Sequence, residues 1–182
     1  MGVDCREALL EALAAYRVQS PHDEEAVSRL RAFLDRDDPF RRGDPEGHVT
    51  ASAIVARPAA DEFLLVFHRK LDRWLQPGGH VEPEDGSVFA AAIREAREET
   101  GLDDFAAPAG DAILDLDVHR IPAFKREPPH VHYDVRFLLT TGSSGPLSAR
   151  AKWFAREDVA PADRDGSLTR AVRKALSRLP AR

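Results

Sequence analysis

The chain has 182 residues, 43% of them hydrophobic and 31% charged, enough for one well-buried domain with an appendage but not for two full-sized domains. Its formal net charge of −5 supplies no general attraction to nucleic acid or an anionic membrane; with no bilayer-length apolar run and no basic-then-apolar leader, a cytoplasmic protein is expected. Cys5 is the only cysteine, so an intramolecular disulfide and thiolate metal clusters are excluded, and any metal must be held by oxygen or imidazole.

Residues 4–18 place Leu9, Leu13 and Tyr16 at helical spacing, with Leu10 beside them. Ser20 followed by Pro21 is an N-cap with proline at the first helical position, and Val27, Leu30 and Leu34 mark the apolar face of a second helix ending near Asp37. The Pro-, Gly- and charge-rich stretch 36–48 predicts a connection, dividing an N-terminal helical extension (1–40) from a main domain (41–182). Segments 49–56 and 62–70 read as an antiparallel strand pair, and 74–87, "WLQPGGHVEPEDGS", as turn formers ahead of a helix at about 88–100. Strands are expected at 112–121 and 130–140 around the loop "PAFKREPP", with a short one at "AKWFAR". Ser167 is expected to cap a last helix that buries Leu168, Val172, Ala175, Leu176 and Leu179. The elements lack a regular βαβ rhythm, so the fold class is α/β with a mixed sheet covered by helices.

The helix at 88–100 carries Glu95, Glu98 and Glu99 in its last turns. At about 100° per residue, Glu98 and Glu99 lie roughly −60° and +40° from Glu95, so all three share one face. There they repel one another and oppose the helix dipole, by a few tenths of a kcal/mol per contribution. A solvated charged face, with Arg94 offsetting Glu98, is one account. The other is a divalent cation: Gly78 and Gly79 just upstream allow close approach, and oxygen ligands suit Mg²⁺ or Mn²⁺ acting on a diphosphate.

The run "GGHVEPEDGSVFAAAIREAREETGL", 78–102, resembles the box of the Nudix hydrolases. Arg94, Glu95, Glu98, Glu99, Gly101 and Leu102 match its second half, with Ala96 in the aliphatic slot. Counted from Gly79, the first half has Asp85 where the family has Glu, and one extra residue before Arg94, which is placed in the "EDGS" turn. The resemblance covers about 48–158 and implies a Nudix-like α/β/α sandwich with a mixed sheet, to which the N-terminal helical pair is an addition. It further implies metal-dependent hydrolysis of a diphosphate linkage in a small-molecule nucleoside diphosphate derivative. The substrate is left open among ADP-ribose, nucleotide sugars, dinucleotides and nucleoside triphosphates. By resemblance, Glu95, Glu98 and Glu99 bind Mg²⁺ or Mn²⁺, the Gly79 carbonyl completes the coordination, and Arg94 orients a neighbouring glutamate. The general base is left open, with Glu127 on the later loop as a further candidate.

Other residues are weighed against plain structural roles. Arg69, Lys70 and Arg120 could contact phosphate, Trp74 could stack on a base or pack under the glycines, and His80 is expected to face the cleft or cap the turn. His130, His132 and Asp134 share a strand face, but the outer two would be about 13 Å apart at roughly 3.3 Å per residue, too far for one ion. At most two could coordinate together, and substrate contacts or a hydrogen-bonded network are favoured over zinc. Two other functions are carried: a catalytically silent nucleotide-binding module, and an isopentenyl diphosphate isomerase-like enzyme, which Cys5 in the first helix disfavours. The helical pair could pack on the core, restrict the cleft or form a homodimer interface.

Overall fold

The computed structural model describes residues 3–124 and 128–179. Helices α1 (Val3–Ala15) and α2 (Pro21–Leu34) form the N-terminal pair. Ser20 caps α2, its hydroxyl accepting the Asp23 N–H at 3.2 Å. The pair is not a loose arm: Cys5, Leu9, Leu13, Leu30 and Phe33 share one apolar cluster with Val49, Val88 and Val135 of the main body. Leu10, expected beside the buried face, is 40% exposed.

Seven strands among the described residues make one mixed sheet: β1 (His48–Ala56), β2 (Glu62–His68), β3 (Arg73–Leu75), β4 (Gly78–His80), β5 (Asp115–Ile121), β6 (His130–Thr140) and β7 (Ala151–Ala155). The main path runs β3-β2-β1-β6-β5, with β4 on β1 and β7 on β2. β1 and β6 pair in parallel, and β5 and β6 antiparallel. The expected β1–β2 pair is antiparallel but short, with Val55 opposite Leu64 and Ala56 opposite Phe63. The rest of that edge of β1 is taken by β4, where Ser52, Ala51 and Thr50 face Gly78, Gly79 and His80. The glycine pair read as a turn is therefore a short strand.

Period-two alternation gives the sheet two different faces. Val49, Ala51, Ala53 and Val55 of β1 point to the side covered by helix α3 (Val88–Thr100) and the N-terminal pair. On the other side, Ile54 and Ala56 pack under α4 (Arg156–Ala162) and α5 (Ser167–Arg178), joined by Leu168, Val172, Ala175 and Leu179. His48, Thr50 and Ser52 share that second side and line a cleft there. The result is the expected α/β/α arrangement.

Helix α4 was not expected from the sequence, and Ser167 does not cap α5. Gly166 holds the N-cap position in a left-handed conformation (φ 78°), while Asp163 Oδ2 accepts the Thr169 N–H at 2.7 Å. A buried charged network ties α2 and α5 to the sheet. Lys174 Nζ donates to Asp23 and Asp115 at 2.6 Å each, and Arg136, also buried, bonds Asp134 and Asp115.

Candidate active site

Helix α3 delivers the acidic groups, and its ends are locally encoded. The Ser87 hydroxyl accepts the Ala90 N–H, and Gly101 closes the helix at φ 79°, where side chains other than glycine are strained. The buried stripe of Ala91, Ala92 and Ala96 seats the helix on the sheet. That seating turns Glu95 and Glu99 toward β4, whereas Glu98 lies further out, with 59% of its side chain exposed.

Neither glycine of β4 has a positive φ, so conformational freedom is not why glycine stands there. Close approach is the reason. A Cβ on Gly78 would sit 2.2 Å from Ser52 Oγ and 2.7 Å from the Ala51 carbonyl oxygen, and one on Gly79 would sit 2.5 Å from Glu95 Oε1. The neighbour that needs the space is thus the protein's own carboxylate and the adjacent strand. The Gly78 N–H donates to Glu99 Oε2 at 3.1 Å.

Arg94 binds the box together. Its Nε and Nη2 donate to the two oxygens of Asp85 at 2.8 and 2.9 Å, its Nη1 to Glu95 at 2.9 Å and Glu98 at 3.4 Å, and Nη2 also to the His80 carbonyl at 2.8 Å. Burial pushes the Asp85 carboxyl up, but the Arg94 bonds and the Glu82 N–H outweigh it and hold the group below its ordinary range. Glu95 and Glu99 go the other way. Burial raises both, more than the Arg94 contacts lower Glu95 or the Gly78 N–H and Arg150 lower Glu99, and repulsion among the glutamates adds to the rise. Two raised carboxylates beside the β4 glycines, with the more exposed Glu98 next to them on the helix, are oxygen donors of the kind that suits a hard divalent cation.

The cleft beside them has a volume of about 310 Å³. Its lining includes Glu99, Gly78, Gly79 and His80 together with His48, His119, His130 and His132, and the His48 and His80 rings lie 5.0 Å apart. Among the expected substrate contacts, Lys70, His80, His130 and His132 line this cleft; Arg69, Trp74 and Arg120 do not. Trp74 packs edge-on against Phe67 and Phe154, a structural role, and Arg120 sits on an exposed position between His119 and Ile121, which face the cleft. Glu127 lies outside the described residues. Asp134 is no ligand candidate: it accepts from Thr50, Ser52, Gln76 and Arg136, which fixes the floor of the cleft. Cys5 is buried in the helical-pair cluster, away from the cleft lining.

His48 was not singled out from the sequence. The available signal was the polar alternation of His48, Thr50 and Ser52 along a strand whose other face is wholly apolar. Arg150 was missed as well; its guanidinium lies 3.8 Å from Glu99.

A family model described as "NUDIX domain" matches residues 47–174, and the chain belongs to the Nudix family. Among curated proteins it is 42% identical over 65 residues to diphosphoinositol polyphosphate phosphohydrolase 3-alpha of Mus musculus and to the 3-beta protein of Homo sapiens. The match covers 34% of this chain and 39% of each relative. Among solved structures, an Ap4A hydrolase from C. elegans aligns over 72% of this chain and 98% of its own, with a TM-score of 0.55 and 24% identity. The NUDIX domain of Shewanella oneidensis NrtR, solved in complex with ADP ribose, aligns over 82% and 98%, with a TM-score of 0.51 and 18% identity. At these identities the two structures are likenesses of fold.

Proposed function

We propose that the protein is a metal-dependent hydrolase that cleaves a diphosphate linkage in a small-molecule nucleoside diphosphate derivative. The observation that carries this reading is the acidic face of α3, where Arg94 holds Glu95 and Glu98, the Gly78 N–H holds Glu99, and Glu99 reaches the lining of the cleft. Those three carboxylates, with the Gly79 carbonyl, would hold Mg²⁺ or Mn²⁺. When bound, such an ion neutralises a diphosphate and lowers the pKa of a bound water.

The chain's own residues supply the rest. Arg94 positions Glu95 while its other nitrogens are occupied by Asp85, so the carboxylate is oriented before substrate arrives. Glu95 and Glu99, both raised by burial, have the proton affinity a general base needs. Lys70 on the cleft wall offers positive charge to a phosphate. The curated relatives, named for diphosphoinositol polyphosphates, support cleavage of a phosphoric anhydride, and the nucleoside part of the reading rests on the family resemblance. The full glutamate set favours turnover over a silent binding module, and the position of Cys5 gives no support to isomerase chemistry.

The test is a panel of ADP-ribose, Ap4A, nucleotide sugars, dinucleotide cofactors, nucleoside triphosphates and a diphosphoinositol polyphosphate, each with and without Mg²⁺, with products identified by mass. Cation-dependent cleavage at a diphosphate is expected, with kcat reduced by orders of magnitude in Glu98→Gln and Glu99→Gln. Full activity in either variant would remove that residue from the ligand set.

A further inference from the structure

The lining of the cleft also holds a histidine cluster to which the proposed diphosphate chemistry assigns no role. His48 on β1 and His132 on β6 are direct partners in the parallel pairing, and His130 lies two residues before His132 on the same face. One ring nitrogen from each of the three lies within 4.8 Å of the others.

We propose that His48, His130 and His132 form a second metal site, an all-imidazole site for a zinc-class divalent ion, in the lining of the cleft. Three features support it. His130 Nδ1 lies 2.9 Å from the Pro128 carbonyl oxygen, which makes that nitrogen the protonated one in the neutral ring and leaves the Nε2 lone pair available. This Nε2 lies 3.1 Å from His132 Nε2. Two nitrogens bound to one tetrahedral zinc at 2.0–2.1 Å sit about 3.3 Å apart, so the spacing is already near that of a ligand pair.

The second feature separates a metal site from a simple hydrogen bond between His130 and His132. His48 is 2% exposed, and neither of its ring nitrogens has a hydrogen-bond partner among the described residues. Leaving a buried polar group unpaired costs about 1–3 kcal/mol. A network confined to His130 and His132 gives no reason to bury His48 beside them, whereas an ion shared by the three rings does.

The third is chemical. Three imidazoles suit Zn²⁺, Co²⁺ or Ni²⁺ and not Mg²⁺, so the histidine cluster and the glutamates select ions of different softness. With three protein ligands, a fourth position is left for water or an anionic oxygen of the substrate. The third ligand, absent from an account of β6 alone, comes from β1.

The site does not depend on the hydrolase reading, and its test is separate. The full chain, made without a polyhistidine tag and stripped with a chelator, is titrated with Co²⁺ alone, and then with Zn²⁺ by calorimetry. We expect the intense visible bands of four- or five-coordinate cobalt at one equivalent, unchanged in Glu98→Gln and lost in His48→Ala and His130→Ala. His130 is only partly buried, so its alanine variant, checked for folding by circular dichroism, carries the test even where His48→Ala does not fold. Zn²⁺ affinity should fall by roughly 100-fold or more in His130→Ala, at or beyond the upper end of the 10–100-fold typical for loss of an outer-shell partner. Only weakly absorbing six-coordinate cobalt in the wild type, or bands that survive His130→Ala, or bands that vanish with Glu98→Gln, would each overturn the proposal.

Discussion

Asp85 takes the Arg94 guanidinium at two points, Nε at 2.8 Å and Nη2 at 2.9 Å, leaving Nη1 to hold Glu95. The side chain is one methylene shorter than the glutamate of the family pattern, and the connection to the helix is one residue longer. The two departures meet in a single ion pair, which is why neither disturbs the glutamate face. Asp85→Asn removes the charge-assisted part of this grip, worth about 1.5–3 kcal/mol. A fall in kcat of roughly 10–100-fold with little change in KM is expected, because Asp85 acts through Arg94 and not on substrate. Steady-state kinetics on the substrate found by the panel decides it; a change confined to KM would place Asp85 against the substrate instead.

The two β4 glycines should respond differently to alanine. Gly78→Ala drives a Cβ into the backbone of β1 and Ser52, which cannot yield cheaply, so a clear drop in thermal midpoint is expected. For Gly79→Ala the three nearest atoms all belong to the end of the Glu95 side chain. That carboxylate can swing away, so the fold should survive while Mg²⁺ affinity and kcat fall. Melting curves paired with metal titrations of both variants separate the two outcomes.

The raised carboxyls of Glu95 and Glu99 set a pH dependence. The folded state binds protons at these sites more tightly than the unfolded chain does. Without metal, these two groups therefore lower stability as pH rises from the ordinary glutamate value of about 4.3 through their raised values. A cation removes that repulsion and must displace any proton first. The gain in thermal midpoint on adding Mg²⁺ should accordingly be larger at neutral pH than near pH 4.3, and Glu95→Gln should flatten the difference.

Lys174 is the only cation among the described residues hydrogen-bonded to the buried Asp23 carboxylate, and it also contacts Asp115. Lys174→Ala leaves Asp23 buried with only its Tyr16 and Gln19 hydrogen bonds. A loss of roughly 3 kcal/mol is expected, toward the low end for a broken buried pair because Arg136 and Arg170 still serve Asp115. Urea unfolding with an unchanged slope and a lower midpoint would show it. Burial works to raise Asp23, but its hydrogen bonds, chiefly from Lys174, hold it below the ordinary range. Its contribution is thus present above the unfolded value near 3.9 and lost as pH falls through the depressed one.

What the sequence determined by itself is the structure set by neighbours along the chain. The Ser20 cap, the Gly101 stop, the single face shared by Glu95, Glu98 and Glu99, and the inward side of α5 all follow from helical geometry. The period-two reading likewise put His130, His132 and Asp134 on one side of β6. Tertiary structure alone decided which strand lies next to which. Periodicity states the face a side chain occupies but carries no information on the partner strand or its register. The seating of β4 on β1 converts an apparent glycine turn into a close approach to Glu95. The parallel register of β1 with β6 sets His48 directly beside His132. The charges of Asp23, Asp115, Arg136 and Lys174 look like surface residues one at a time, and only the packing of α2 and α5 on the sheet buries them together.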